Sequence, residues 1–185
     1  MLEDWHIQED YRLVRERLQS EHPDLAAKTR FVDPLVSHLL RDTTDENARR
    51  QILQGFDTAD FLFIPLNDGL PNPSGGLGNH WSLLLVDRRD HDRPVAYHYD
   101  SSSNQYNRGF ARRLAERVGA DLRDGPISWQ SNGYDCGVFV VDGTRMLIGL
   151  LALGVLPDHG PLDLKPLVVN RQALQERLTA IAKSC

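Results

Sequence analysis

Hydrophobic and polar positions change their period several times along the chain, and each change predicts an element. Over Gln8–Ser20, "QEDYRLVRERLQS", residues Tyr11, Leu13, Val14 and Leu18 recur at helical spacing. Acidic residues in the first turn and His22-Pro23 beyond the end complete an amphipathic helix. Asp33 followed by Pro34 reads as a cap and a first helical position, and "TTDENARRQILQG" closes on Gly55, so two short surface helices follow. "ADFLFIPLND" is a continuous apolar run of strand length and predicts a buried strand. The Pro/Gly/Asn-rich run from 69 to 79 predicts a loop, the most mobile segment of the chain.

"HWSLLLVD" and "PVAYHYD" are two strand-like runs separated by the charged turn "RRDHDR", which predicts an antiparallel hairpin. A turn centred on Asp90 sets His80 opposite Asp100, and directly opposed residues hold their Cβ atoms about 4.5–5.5 Å apart. An imidazole then meets a carboxylate. The same register puts Trp81, Leu83 and Leu85 on the other face with Tyr99, Tyr97 and Val95, and a slip of one residue would separate His80 from Asp100. "NRGFARRLAERVG" then predicts an amphipathic helix closed by Gly119, and "GPISWQ" a last strand.

Next comes "SNGYDCGVFVVDGTRMLIGLL", which passes from turn chemistry to a long apolar helix at Asp135-Cys136. Asn132-Gly133 signals a turn, Asp135 suits a cap, and Val138 to Val141 are apolar on every side, as in a core helix. Cys136 therefore falls in the first turn of a buried helix. Leu83, Leu85, Phe139, Val140 and Met146 are the expected core.

Composition narrows the setting. The 185 residues, 41% hydrophobic and 25% charged, suit one soluble domain over residues 1–185. A formal charge of −5 with scattered basic residues argues against a nucleic-acid surface. The longest apolar stretch, Met146 to Leu156, is broken by two glycines and is too short to span a bilayer, and the acidic start carries no signal-peptide pattern. The two cysteines, Cys136 and Cys185, are far apart and no CxxC or HxxxH pair offers zinc spacing, so neither a disulfide framework nor a metal is expected. An intracellular reducing compartment fits, and Cys185 reads as an exposed terminal thiol.

The candidate chemistry rests on Cys136. A free thiol titrating near 8.5 is only a few per cent thiolate at neutral pH. A helix N-terminus contributes about 0.3–1 kcal/mol, and one pKa unit needs about 1.4 kcal/mol, so activation requires a neighbouring imidazolium. His80, oriented by Asp100, supplies one in the manner of nucleophile–His–Asp triads. Gln130, six residues before the cysteine, offers an amide N–H to a developing oxyanion, beside the backbone N–H of Cys136. Taken singly, each residue has an ordinary reading. Cys136 is a core thiol, His80 or His98 a satisfied core histidine, Asp100 and Gln130 strand ends, and a metal on His80, Asp100 and Cys136 a further alternative.

Together, "GNHWSLLLVD", "YHYDSSSN" and "QSNGYDCGVFV" resemble the three motifs of the ubiquitin-like-protein-specific cysteine proteases, the SENP-type desumoylases and deneddylases. "FLFIPLND" followed by the Gly-rich loop is similar to the deneddylase branch, and the whole to the bacterial XopD-like effector proteases. The resemblance implies a papain-like α+β fold, with a central helix starting at the catalytic cysteine and packed on a mixed sheet. It implies Cys136 as nucleophile, His80 as general base, Asp100 as its orienting partner and Gln130 as oxyanion donor. Trp81 would roof a narrow tunnel for the modifier's C-terminal Gly-Gly. Trp5 would form the other wall, in a stretch, "WHIQED", that departs from the family's Trp-Leu-x-Asp.

The implied enzyme is a monomeric isopeptidase without cofactor that frees SUMO from target lysines, with ubiquitin and the neddylation modifier as further candidate substrates, an effector in the nucleus or cytoplasm of a host cell. Residues 69–79 and Arg41 to Phe56 are candidate exosites for the modifier's body. Two alternatives stand beside it. One is a YopJ-like Cys/His acyltransferase, whose acid is generally Glu and which has no use for a diglycine tunnel; the other is a non-catalytic modifier-binding module.

Overall fold

The computed structural model describes residues 1–69 and 78–183, so most of the expected mobile loop, and Cys185 with its expected exposure, lie outside the described residues. Along the chain run α1 (Asp4–Glu21), α2 (Pro23–Ala27), β1 (Thr29–Phe31), α3 (Pro34–Asp42), α4 (Glu46–Gln54), β2 (Phe61–Asn67), β3 (Trp81–Asp87) and β4 (Val95–Tyr99). α5 (Arg108–Arg117), β5 (Asp121–Asp124), α6 (Cys136–Ala152) and α7 (Arg171–Ala182) complete it. The five strands make one sheet in sequence order, antiparallel in the middle and parallel at both edges. This is the expected α+β arrangement, a helix beginning at Cys136 laid on a mixed sheet.

The sheet separates two apolar layers because successive side chains of a strand point to opposite faces. Phe61, Phe63, Trp81, Leu83, Leu85, Tyr97 and Tyr99 pack with α1 and α6. Leu62, Ile64, Leu66, Leu84, Val86 and Ala96 pack with α3 and α5 on the other side. Val138 to Val141 are all buried, as are the expected core residues Leu83, Leu85, Phe139 and Val140, whereas Met146 is only partly buried at the edge of its layer.

α1 starts at Asp4, four residues before the expected start, because Ile7 extends the buried stripe of Tyr11, Val14 and Leu18 by another turn. α3 starts as its Asp-Pro signal requires, with the Asp33 carboxylate accepting the Leu35 N–H, and Asp45 caps α4 in the same way. α6 is held in place from behind. The Asp10 carboxylate of α1, fully buried, accepts from Arg145 of α6 and Arg177 of α7, and the Tyr11 and Thr144 hydroxyls lie 2.8 Å apart.

Three expectations are corrected. Leu83 faces Tyr99 and Leu85 faces Tyr97, so the hairpin turns about His91 rather than Asp90 and every pair is displaced by two residues. An even displacement leaves each side chain on its expected face. "GPISWQ" is not a strand: Ile127 makes only an isolated bridge with Leu164, and the last strand lies upstream at Asp121–Asp124. At Gly125 the chain passes so close to the Tyr99 ring that a Cβ would come within 2.4 Å of it, and Pro126 has no N–H to continue a ladder. Asp135 occupies the cap position of α6 without capping it. Its carboxylate accepts from Asn132 and Arg171 instead.

Candidate active site

Three element ends converge here. His80 immediately precedes β3, Asp100 immediately follows β4, and Cys136 is the first residue of α6. His80 Nε2 lies 2.6 Å from Asp100 Oδ1. With the strands displaced by two residues, the pair meets diagonally beyond the strand ends rather than directly across the hairpin. With Nε2 engaged by Asp100, Nδ1 is the ring nitrogen left for Cys136, whose thiol helps hold the imidazole charged.

The electrostatics follow from this contact. Burial opposes charge on His80, but the hydrogen bond to Asp100, that to Cys136 and the two charges outweigh it, and the imidazole is pushed up to about 9. Burial likewise opposes ionisation of Asp100. The His80 ring and the Ser102 N–H prevail, so the carboxyl sits below its ordinary value. The site thus favours a charged imidazole next to a fully buried thiol on a helix N-terminus.

The surrounding chain fixes His80 as well. Asp68 Oδ1 accepts the N–H groups of Asn79 at 2.6 Å and His80 at 2.9 Å. Nothing in the local pattern singled out Asp68. The Gln130 backbone donates to the Ser101 carbonyl at 2.9 Å and its Oε1 accepts the Ser101 hydroxyl at 2.7 Å, which ties the expected oxyanion donor to the residue after Asp100. One Nε2 hydrogen of Gln130 goes to the Asn132 carbonyl at 2.7 Å, and an amide carries a second.

The two tryptophans have unlike surroundings. Trp81 is 1% exposed, and its Nε1 donates to the Leu2 carbonyl at 3.0 Å. Trp5 is 50% exposed, stacks on His6 and donates to Glu3. Leu2 occupies the ground between Trp81 and the cysteine helix, where a Cβ on Gly137 would fall 2.8 Å from the Leu2 Cβ. Glycine at 137 is what allows this approach. Of the two suggested exosites, 69–79 lies mostly outside the described residues. In Arg41–Phe56 the Arg41 side chain is buried and holds the carbonyls of Asn67 and Gly69.

Residues 1–116, more than half of the chain, match the Ulp1 protease family, C-terminal catalytic domain. This chain belongs to the Ulp1 protease family. The matched span contains His80 and Asp100 and stops before Cys136, but structural likeness extends further. The Xanthomonas campestris effector protein XopD, solved bound to ubiquitin, superposes with a TM-score of 0.82 at 31% identity, over 97% of this chain and 90% of that one. Sentrin-specific protease 8 of Homo sapiens is 30% identical over 139 residues, 69% of this chain and 63% of its own. NEDD8-specific protease 1 of Schizosaccharomyces pombe is 26% identical over 165 residues, 85% of this chain and 39% of its own. The chain therefore spans less than two thirds of either of these relatives.

Proposed function

We propose that this Ulp1-family protein is a cysteine isopeptidase that cleaves after the C-terminal Gly-Gly of a ubiquitin-like modifier, SUMO, ubiquitin or NEDD8, and frees it from target lysines. The observation that carries the reading is the 2.6 Å contact between His80 Nε2 and Asp100 Oδ1, which leaves Nδ1 to the thiol at the start of α6. Cys136 attacks the terminal glycine carbonyl as the thiolate. The oxyanion that forms is met by the Cys136 N–H and by Gln130, and the His80 imidazolium gives its proton to the departing lysine amine. Neutral His80 then takes a proton from water as its oxygen attacks the thioester; the modifier leaves with a C-terminal carboxylic acid, and the Cys136 thiolate and His80 imidazolium are restored.

Burial of Cys136 supports the choice of tail. A nucleophile this deep is reached by a thin chain, and glycine, without a Cβ, is the thinnest. The likeness to XopD supports an effector that acts inside a host cell, and the likeness to the NEDD8-specific proteases supports NEDD8 beside SUMO and ubiquitin. A panel of the three modifiers, each ending in a propargyl amide, tests the proposal. At least one is expected to form a covalent adduct with the wild type and none with Cys136→Ala. Adducts that persist in that variant refute the nucleophile, and an unreactive wild type refutes the activity.

A further inference from the structure

Asn107 stands directly before α5, where a helix start favours a capping side chain and asparagine ranks among the best. It makes no capping hydrogen bond. Its fully buried amide turns to the sheet instead, with Nδ2 3.2 Å from the carbonyl of Leu66, 3.2 Å from that of His80 and 3.0 Å from the Ser82 hydroxyl. Oδ1 is left without a partner among the described residues. A forgone cap and an unpaired buried oxygen both cost stability, so the side chain is not placed for stability alone.

We infer that Asn107 is a positioning residue of the site: its amide anchors the main chain at His80, keeping the imidazole between Asp100 and Cys136. The inference rests on the proposed role of His80. Asp100 to Asn107 then forms one brace that holds the histidine at three points. Asp100 Oδ1 takes Nε2, the Tyr106 ring stands edge-on to the imidazole with centroids 6.0 Å apart, and Asn107 takes the carbonyl. Asp68 secures the N–H from the opposite strand end.

Iodoacetamide alkylation of Cys136, followed against pH in a Cys185→Ser background, tests this without any modifier. Near neutral pH the wild-type thiol is expected to react as a thiolate paired with His80. In Asn107→Ala a misplaced ring should slow alkylation about tenfold at about pH 6.5 and leave it unchanged above about pH 10. Asn107→Leu, nearer in volume, carries the same expectation if the alanine variant does not fold. Superimposable profiles, or a loss equal at every pH, overturn the role of Asn107. A wild-type rate that near neutral pH falls to a few per cent of its own plateau above about pH 10 overturns the thiolate–imidazolium pair itself, and the inference with it.

Discussion

His80 and His98 belong to one hairpin and are both buried, yet their surroundings drive them to opposite protonation states. Burial opposes the charged ring in each. At His80 the Asp100 carboxylate and the Cys136 thiol reverse the outcome and the ring is pushed up to about 9. At His98 the one side-chain hydrogen bond among the described residues is to the neutral Ser82 hydroxyl, 2.9 Å away, so burial prevails over the more distant acids and the ring is driven down to about 4. Depth does not distinguish a reagent from a core group. The charge of the partner does.

The comparison breaks most completely if His80 loses its charged partner. Asp100→Asn should lower turnover by about three to four orders of magnitude, as in triads whose acid is neutralised, while modifier binding is retained. A His80 raised to about 9 stays charged as pH rises from neutrality and loses its proton only near 9, so wild-type activity should carry an alkaline limb there. In Asp100→Asn that limb should move to lower pH in a rate–pH profile. An unmoved limb would mean that Asp100 does not set the charge on His80.

A smaller effect is expected on the neutral side. Ser82→Ala removes the acceptor or donor shared by His98 and Asn107 and should cost about 1–3 kcal/mol of stability, read by denaturant unfolding. Smallest is a change of slope. His98 is depressed in the fold, so its contribution is complete above 6.5 and lost as pH falls toward about 4. His98→Leu should flatten the dependence of Tm on pH over that interval and leave it unchanged above.

Much of this site was legible in the sequence, and the reasons are local. The alternation in "HWSLLLVD" and "YHYD" fixes which residues share a face, and that survived a turn centre misplaced by one residue because the pairing error was even. The abrupt onset of apolar residues after Asp135 marked the first turn of α6. Other features depend on contacts distant in sequence. Asn107 looks like a cap because its neighbours are helical, and its diversion to His80 appears only when the start of α5 folds onto the sheet. Leu2 carries no local signal for lying on Trp81 and Gly137. The short parallel edges β1 and β5 have three and four residues, too few for a period to show.

Asn67–Gly69 and Gly78–His80 hold one another at close quarters. Arg41 clasps the carbonyls of Asn67 and Gly69, Asn67 Oδ1 accepts the Gly69 N–H, and Asp68 holds Asn79 and His80. Gly78, at φ +74°, lies so near Asn67 that a Cβ would sit 1.8 Å from its Oδ1, so the two stretches are fastened to each other. A side chain at 78 would press on Asn67 and on the Gly69 N–H, whose neighbour Asp68 holds the main chain of His80, so glycine at 78 protects the position of the histidine.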